Sequence, residues 1–475
     1  MTTFVDTLVI GAGPAGLIAA DRLSDDRARV LLVDAGRPYQ RRACPVDLMR
    51  SCNGCKGICN VISGFGGSIH YGDGVKLSRF PSGRRLAELL GTERAETLMD
   101  RAVRRLCSEE QIAFRGALPT VGPFQIKDYP VASLGAQQVR TVIERLHQRI
   151  TVAPSTELRM QAQVASLQRA RGMWRAEVAD RAGISETVLA SSVIVAVGRR
   201  GQRWWQQILR DLGLAHAAPA PSVGVRFEMP KALLQLGADI HEDFKTTIVA
   251  NDVKIKTFCF CAGPGGGRIK FTDYGDHTLL DGHVIPEPHD GNTANFALLA
   301  QLRDANATPR NSAWVEVNLL TPYRALRTDR PGKPVLQWYP DFHNRALACT
   351  DLEQFARLSG IQPSLRDYQV ADLASILPRE VHTALCSAFE DLMTYFSGRP
   401  LSVATLSQVA VIGLELENLW DELKLTEDLE TSAAGLYAAG DCTGLAQGIL
   451  QAAVGGLVAA EAITREPGRT TKRAA

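Results

Sequence analysis

The clearest hydrophobic patterns lie towards the two ends of the chain. Residues 4–10 form an apolar, β-branched run that predicts a buried strand, and residues 17–23 continue as an apolar helix. A second apolar run, residues 28–36, predicts the next strand. Near the other end, residues 435–463 predict a short strand, a glycine-containing loop and an apolar helix. Both ends therefore predict units in which a strand leads through a turn into a helix.

The middle of the chain favours strands. Alternating positions over residues 156–168 and 173–180 predict hairpin strands, and residues 193–201 predict a buried strand that ends in a glycine turn. Further strands are predicted over residues 221–230, 246–261 and 312–322. Residues 378–396 instead have a helical period, with the apolar stripe Leu385, Phe389, Leu392 and Phe396.

Composition limits the class of protein. The chain has 475 residues, of which 45% are hydrophobic and 22% charged, and a formal net charge of +2, so it can bury a large core. This charge balance gives no electrostatic reason to expect a nucleic-acid partner. The apolar N-terminal run lacks a basic flank and contains Asp6, and no stretch approaches the roughly 20 apolar residues of a membrane span. We expect a cytoplasmic protein with no membrane partner, mostly reduced cysteines and a disordered tail at residues 467–475.

The first turn carries the strongest motif. Gly11-Ala12-Gly13-Pro14-Ala15-Gly16 separates a predicted strand from a predicted helix. In such a dinucleotide-binding turn, Gly11 allows the tight bend, Gly13 lets the backbone approach a pyrophosphate, and Gly16 lets helix and strand pack closely. Asp34 follows about twenty residues later, where an acidic side chain would bind a ribose diol. The spacing predicts a dinucleotide site.

The segment around Gly440-Asp441 narrows the choice of dinucleotide. It resembles the second FAD fingerprint of glutathione-reductase-like flavoproteins, which implies that Asp441 contacts the ribityl chain. The same resemblance implies that the following helix, which includes Gly448 and Ile449, directs its N-terminus at the flavin. No second GxGxxG unit of comparable quality occurs, so a dedicated NAD(P)H domain is not expected.

Four longer stretches resemble a bacterial family of FAD-dependent dehydrogenases. They span residues 41–77, 257–267, 281–299 and 436–456, and the match in order covers residues 5–463. The chain departs from the family pattern by one extra residue between Cys55 and Cys59 and by His70 and Gly72, which suggests a specialised substrate. The cofactor residues expected from the motifs and the resemblance are Gly11, Gly13, Pro14, Ala15, Gly16, Asp34, Ala35, Gly36, Gly66, Gly67, Ser68, Val164, Gly198, Gly440, Asp441, Gly448 and Ile449.

Four of the ten cysteines, Cys44, Cys52, Cys55 and Cys59, precede the glycine cluster at Gly66-Gly67. Their spacing could serve a zinc or iron–sulfur centre, a disulfide, or a tightly packed thiol-rich loop. Because the resemblance places this loop beside the flavin and its neighbours are apolar, we favour packing and expect no metal.

Three residues are candidates for the chemistry itself. His70 lies just past Gly66-Gly67, where an imidazole near the flavin could transfer a substrate proton. The alternative is a histidine bonded to backbone in a tight loop. Cys259 and Cys261 lie two apart on a predicted strand, so both thiols could face one pocket while the neighbouring phenylalanines face the other side. Two small residues that fill a tight sheet face are one interpretation, and a disulfide between them or a nucleophile near the flavin are the others. His283 and His289 flank a predicted substrate loop.

The expected architecture is an α/β fold in two parts. A Rossmann-type FAD-binding domain, with a parallel sheet and a three-stranded meander, takes residues 1–205 and 400–466. A substrate domain with a mixed sheet is inserted at residues 206–399. A cap of this kind suits hydride transfer because it keeps water from the reduced cofactor.

The corresponding function is an FAD-dependent dehydrogenase or oxidase that acts on a small-molecule substrate. Oxygen or another redox partner would be the electron acceptor, and a homodimer is compatible with the sequence. A flavin monooxygenase or halogenase is the first alternative, although the chain has no Trp-x-Trp-x-x-Ile signature. A tRNA-modifying or non-catalytic flavoprotein is the second alternative, and the lack of a basic patch disfavours it.

Overall fold

The fold was analysed in a computed structural model of the chain. The model describes residues 2–45, 50, 55, 58–71, 74–107, 112–116, 120–121, 124–234, 243–273, 278–285, 291–304, 308–327, 333–366 and 368–465.

The strands are β1 (Thr2–Ile10), β2 (Val30–Asp34), β3 (Val75–Ser78), β4 (Thr120–Val121), β5 (Phe124–Ile126), β6 (Val131–Leu134), β7 (Thr156–Met160), β8 (Gln163–Ala170), β9 (Met173–Ala179), β10 (Ser185–Val195), β11 (His216–Ala217), β12 (Ser222–Pro230), β13 (Thr246–Ala250), β14 (Val253–Cys261), β15 (Gly267–Asp273), β16 (Thr278–Val284), β17 (Thr293–Gln301), β18 (Val335–Trp338), β19 (Gln369–Val370), β20 (Ala410–Glu417), β21 (Glu422–Leu423) and β22 (Leu436–Ala438). The helices are α1 (Pro14–Asp25), α2 (Arg84–Leu90), α3 (Thr92–Leu106), α4 (Ala136–Val152), α5 (Gln202–Asp211), α6 (Ser312–Val315), α7 (Thr321–Ala325), α8 (Tyr339–Asn344), α9 (Leu352–Ser359), α10 (Leu373–Ile376), α11 (Arg379–Ser397), α12 (Val403–Leu406) and α13 (Ile449–Arg465).

The first sheet contains the strands predicted from both ends of the chain. Its order is β7-β2-β1-β10-β9-β8, and β22 pairs with the end of β10. Strands β7, β2, β1, β10 and β22 run parallel, whereas β10, β9 and β8 form an antiparallel meander. Helices α1 and α13, which come from opposite ends of the chain, pack against each other beside this sheet. The Rossmann-type sheet with a three-stranded meander is therefore confirmed.

The second sheet, called the cap sheet below, is separate from the first. Its described strands follow the order β19-β18-β20-β12-β17-β14-β13-β5-β4, and it is mixed because β18 and β19 pair in parallel. Helix α11 packs on it through the predicted stripe, in which Leu385, Phe389 and Leu392 are fully buried. The mixed cap sheet predicted from the sequence is confirmed.

The cap sheet crosses the predicted domain boundaries. Strand β20 falls within residues 400–466, yet it pairs with β12 and β18 of the cap. Strands β4 and β5 fall within residues 1–205, and β5 pairs with the cap strand β13. The two parts are thus joined by shared strands as well as by connecting loops.

One predicted strand is wrong. Residues 312–322 form α6, a π-helical turn and the start of α7. The side chain of Asn311 accepts a hydrogen bond from the backbone N–H of Trp314 and so caps α6, while Pro322 lies in the first turn of α7. These helix-start signals outweigh the apolar run between them, which had predicted a strand. Within the described ranges, no helix combines the length and apolarity needed to cross a membrane.

Candidate functional site

A cavity of about 550 Å³ lies at the ends of β1, β2, β10 and β22 of the first sheet, and β3, β16 and Cys259 of β14 also line it. This volume is within the range of about 300–1,000 Å³ that is usual for ligand pockets. The predicted cofactor residues that line it are Gly11, Gly13, Pro14, Ala15, Asp34, Ala35, Gly67, Ser68, Val164, Gly198, Gly440, Asp441, Gly448 and Ile449. Gly16, Gly36 and Gly66 are not among the lining residues. The fold thus brings motifs from both ends of the chain to one cavity.

The three glycines of the first turn have different surroundings. A Cβ on Gly11 would lie 2.3 Å from the carbonyl oxygen of Ala196, and one on Gly16 would lie 1.8 Å from that of Gly11. Both glycines are therefore required by the fold itself. At Gly13, the nearest heavy atom to a Cβ would be the Cα of Gly67, at 3.8 Å. The space beside Gly13 opens into the cavity, as a close approach of phosphate to backbone requires.

The helix N-termini at the cavity come from α1 and α13. Gly13 and Pro14 begin α1, and Gly448 and Ile449 lie at the start of α13. Each end presents backbone N–H groups that have no partner within its own helix, together with the positive end of the helix dipole. The two helices thus suit anionic or hydrogen-bond-accepting parts of one ligand.

Asp34 ends β2 at the cavity wall. Its carboxylate accepts hydrogen bonds from the backbone N–H of Ala12 at 2.7 Å and of Gly36 at 2.6 Å. The carboxylate thus holds the glycine turn and the end of β2 together. Its expected contact with a ribose stays a prediction.

Asp441 has a cationic partner that the sequence did not single out. Its carboxylate accepts a hydrogen bond from Arg199 Nε at 2.7 Å, and its backbone carbonyl accepts one from Gln202 Nε2 at 3.3 Å. Both donors follow β10, so the return strand and the second fingerprint meet here. The sequence could have indicated this partner, because two arginines follow residue 198. Cations that follow a buried parallel strand lie at the carboxyl edge of the sheet, where ligands bind.

The glycine cluster after the cysteine loop packs on the first turn. Gly66 donates its backbone N–H to the carbonyl oxygen of Ala12 at 2.8 Å. A Cβ on Gly67 would lie 2.7 Å from the Cα of Gly13, and Gly67 has a φ of +53°. Only glycine fits both the contact and the backbone angle. The predicted passage of this segment beside the phosphate turn is consistent with this contact.

Arg42 organises the same segment, and sequence reasoning missed it. The residue is 1% exposed, and its guanidinium donates hydrogen bonds to the backbone carbonyls of Asn60, Val61, Phe65, Gly67 and Ile69. Five backbone carbonyls thus converge on one cation. The guanidinium fixes the shape of the loop that borders the cavity.

His70 lies behind the loop and is not among the residues that line the cavity. It is 1% exposed, its Nε2 lies 2.7 Å from the carbonyl oxygen of Arg42, and its Nδ1 lies 3.4 Å from Lys270 Nζ. This geometry favours the alternative of a histidine bonded to backbone in a tight loop. Nothing in it supports direct proton transfer to a ligand in this cavity.

The cysteine loop lies partly outside the described residues, and Cys52 is among those not described. Cys44 is buried, and a hydrogen bond from Cys59 lowers the pKa of Cys55 to about 6 while raising that of Cys59. The described parts of the chain contain no group of three or more His, Cys, Asp or Glu residues that could hold a metal ion. The nature of this loop stays a prediction.

Cys259 and Cys261 come together at an irregularity in β14. The pairing of β14 with β17 shifts register between Phe258 and Cys261, and Cys259 has a φ of +45°. A non-glycine residue in this region costs about 1–3 kcal/mol. The two Sγ atoms are 4.0 Å apart; Cys259 lines the cavity, whereas Cys261 is fully buried. The sequence predicted a shared face but not the bulge.

Lys76 joins the thiols to a buried acid. Its Nζ lies 3.0 Å from Asp243 Oδ1 and 3.7 Å from Cys261 Sγ, and Tyr129 donates a 2.7 Å hydrogen bond to Asp243 Oδ2. Burial opposes the charged form of Lys76, but Asp243 and the two thiols outweigh it and raise the pKa of Lys76. Lys76 therefore stays cationic at the cavity wall.

The hairpin of β15 and β16 brings two further groups to the cavity. Asp281 and His283 both line it, and His283 Nε2 lies 3.7 Å from Asp281 Oδ2. Burial raises the pKa of Asp281, but His283, Arg199 and Arg226 outweigh it and lower that pKa overall. The histidine that the sequence associated with a substrate loop thus faces the cavity, and His289 lies outside the described residues.

The chain was compared with known proteins. No protein-family model matches the chain. It is 21% identical over 471 residues to an uncharacterised protein from Clostridium beijerinckii, a match that covers 96% of this chain and 80% of that protein. The sheet topology is that of a Rossmann-type FAD-binding fold.

Three solved structures illustrate the similarity. One is a flavoprotein/dehydrogenase from Cytophaga hutchinsonii, with 11% identity, a TM-score of 0.43 and coverage of 97% of this chain and 78% of that one. Another is a geranylgeranyl bacteriochlorophyll reductase-like protein from Thermoplasma acidophilum, with 12% identity, a TM-score of 0.44 and coverage of 99% and 81%. The third is p-nitrophenol 4-monooxygenase from Pseudomonas putida, with 12% identity, a TM-score of 0.37 and coverage of 98% and 80%. At TM-scores below 0.5, the fold assignment rests on the sheet order of the chain itself.

Proposed function

We propose that the protein is an FAD-dependent oxidoreductase that moves a hydride between a small organic substrate and bound FAD. The observation that carries this proposal is the single cavity lined by Gly13 and Pro14 from the start of the chain and by Asp441 and Ile449 from its end. Both fingerprints face one ligand-sized space, which is what an extended dinucleotide requires.

The residues of the first sheet suit the cofactor. The open space at Gly13 and the N-terminus of α1 suit a pyrophosphate, and the Asp34 carboxylate at the cavity wall suits a ribose hydroxyl. Asp441, oriented by Arg199, suits the ribityl hydroxyls. FAD bound in this way would supply a two-electron acceptor of hydride.

The cavity wall formed by β3, the loop before it and β16 suits the substrate. Lys76, Asp281 and His283 supply polar groups to the cavity, while Ile58, Ile62, Leu279 and Leu280 supply apolar surface. The Asp281–His283 pair, in which His283 Nε2 lies 3.7 Å from Asp281 Oδ2, can hold or release a substrate proton. The apolar side chains limit the access of water to the reacting atoms. This arrangement supports oxidation or reduction of a small molecule at this side of the cavity.

An anaerobic reduction assay tests the proposal. The purified protein is mixed with candidate alcohols, amines and unsaturated acids in the absence of nicotinamide nucleotides. The absorbance of the oxidised flavin at about 450 nm is then followed. Bleaching by a substrate alone supports a dehydrogenase or oxidase. Bleaching by NADPH alone, followed by oxygen-dependent hydroxylation, would instead identify a monooxygenase. A protein that takes up no FAD would reject the proposal.

A further inference from the structure

The proposed hydride transfer leaves the two thiols of β14 without a role. Cys259 lines the cavity, whereas Cys261 has 0% exposure and is not among the lining residues. Their Sγ atoms are 4.0 Å apart, and Cys259 Sγ also lies 3.1 Å from the carbonyl oxygen of Gly282. Two thiols in contact beside a redox cofactor site form a candidate second redox centre.

The backbone at the two thiols departs from a regular strand. In a regular strand the Cα atoms of residues two apart are separated by roughly 7 Å, which is at the upper limit for a disulfide. The register shift after Phe258 and the positive φ of Cys259 bend this part of β14, and the sulfurs meet at 4.0 Å. A disulfide needs about 2.05 Å, and side-chain rotation can supply the remaining roughly 2 Å. The irregular backbone thus places the pair within reach of a bond.

The surrounding charges give the two thiols different roles. The hydrogen bond from Cys261 lowers the pKa of Cys259, and together with Lys76 and Arg226 it outweighs two opposing effects, burial and the Asp281 carboxylate. Asp281 Oδ1 lies 3.4 Å from Cys259 Sγ. Burial and Cys259 raise the pKa of Cys261. Arg226 adds positive charge, since its guanidinium donates a 3.0 Å hydrogen bond to the carbonyl oxygen of Cys259. Cys259 is therefore suited to act as the thiolate that faces the cavity, and Cys261 as the thiol that retains its proton.

We infer that Cys259 and Cys261 form a reversible dithiol–disulfide centre that exchanges two electrons with the bound flavin, an inference that rests on the proposed function. In the oxidising direction, counted from the neutral thiols, two S–H bonds break and one S–S bond forms. Two electrons and two protons pass to FAD, giving FADH₂. The reverse step breaks the S–S bond and restores both thiols and oxidised FAD. The chain would then store two electrons more than its flavin alone can hold.

The test measures electron capacity as well as cysteine chemistry. The FAD-bound protein is oxidised with diamide, freed of reagent, and titrated anaerobically with dithionite. We expect Cys259→Ser and Cys261→Ser each to take up about two electrons fewer per chain than the parent. The control Cys386→Ser, which alters a buried thiol in α11 away from the cavity, should take up the parent number. In parallel, mass spectrometry of the parent after alkylation should find the peptide with both cysteines unalkylated and lighter by two hydrogens.

The outcomes separate this inference from the proposed function. If the parent holds FAD, both cysteines alkylate after diamide treatment, and both variants match the parent in electron uptake, the dithiol centre is rejected while the flavin enzyme stands. If the protein holds no FAD, the proposed function fails together with the electron exchange. The alkylation experiment on the parent gives its answer even if a serine variant does not fold.

Discussion

Replacing Gly13 by valine should remove cofactor binding without removing the fold. Apart from its chain neighbours, a Cβ at this position would lie closest to the Cα of Gly67, at 3.8 Å, so the protein has room for this first added atom. Added side-chain atoms would project into the cavity where we place the pyrophosphate. Overpacking of this kind costs about 1–3 kcal/mol for one added methyl group. Even Gly13→Ala should therefore weaken FAD binding roughly 5- to 150-fold, and Gly13→Val should bind weaker still.

Gly135 provides a matched control. Like Gly13, it is the N-cap of a helix with a negative φ, and its nearest heavy atom to a Cβ would also lie at 3.8 Å. It does not line the cavity. Titration of FAD-free protein, followed by flavin fluorescence, should show parent affinity for Gly135→Val and a large loss for Gly13→Val, with melting temperatures of the FAD-free forms close to the parent value. Parent affinity in Gly13→Val would refute the phosphate assignment.

Three further results are expected. Arg42→Met removes the donor to five backbone carbonyls and should lower the free energy of unfolding by at least about 3 kcal/mol in urea denaturation; an unchanged midpoint would contradict the role of Arg42. Burial raises the pKa of Glu228 from 4.5 to about 7, so the folded state keeps a proton that the unfolded state loses between these values, and stability should fall as pH rises through this window. Between these pH values the free energy of unfolding of the parent should fall by up to about 3 kcal/mol relative to that of Glu228→Gln. Curves of unfolding free energy against pH that run parallel for the two proteins would contradict this. Elemental analysis should find no stoichiometric zinc or iron in the cysteine loop, and one metal ion per chain would overturn that prediction.

The parts of the fold that sequence could predict are those encoded in local patterns. The turn from Gly11 to Gly16 is constrained by backbone contacts at both of those glycines, so its spacing predicts its geometry. The hairpin strands and the stripe on α11 follow from periodicity, whereas the three-stranded meander was implied by the resemblance to FAD domains. Residues 312–322 were predicted wrongly because the capping residue Asn311 lies just outside the apolar run.

The features that sequence missed depend on contacts between distant segments. Arg42 satisfies carbonyls up to 27 residues away, and nothing in its own neighbourhood marks it as buried. The positive φ of Cys259 arises where β14 changes register against β17, which alternation along β14 does not reveal. Arg199 acquires its role only through Asp441, 242 residues later in the chain. For His70, the sequence identified the right loop, but burial behind Arg42 separates its imidazole from the cavity lining.

The flavin content of the purified protein tests the central claim most directly. The protein is purified, or unfolded and refolded with excess FAD, passed through a desalting column, and denatured to release its cofactor for chromatographic identification. The arrangement of both fingerprints around one cavity predicts about one FAD per chain, with a visible spectrum of bound flavin. A correctly folded protein that retains neither FAD nor another flavin after reconstitution would contradict the account.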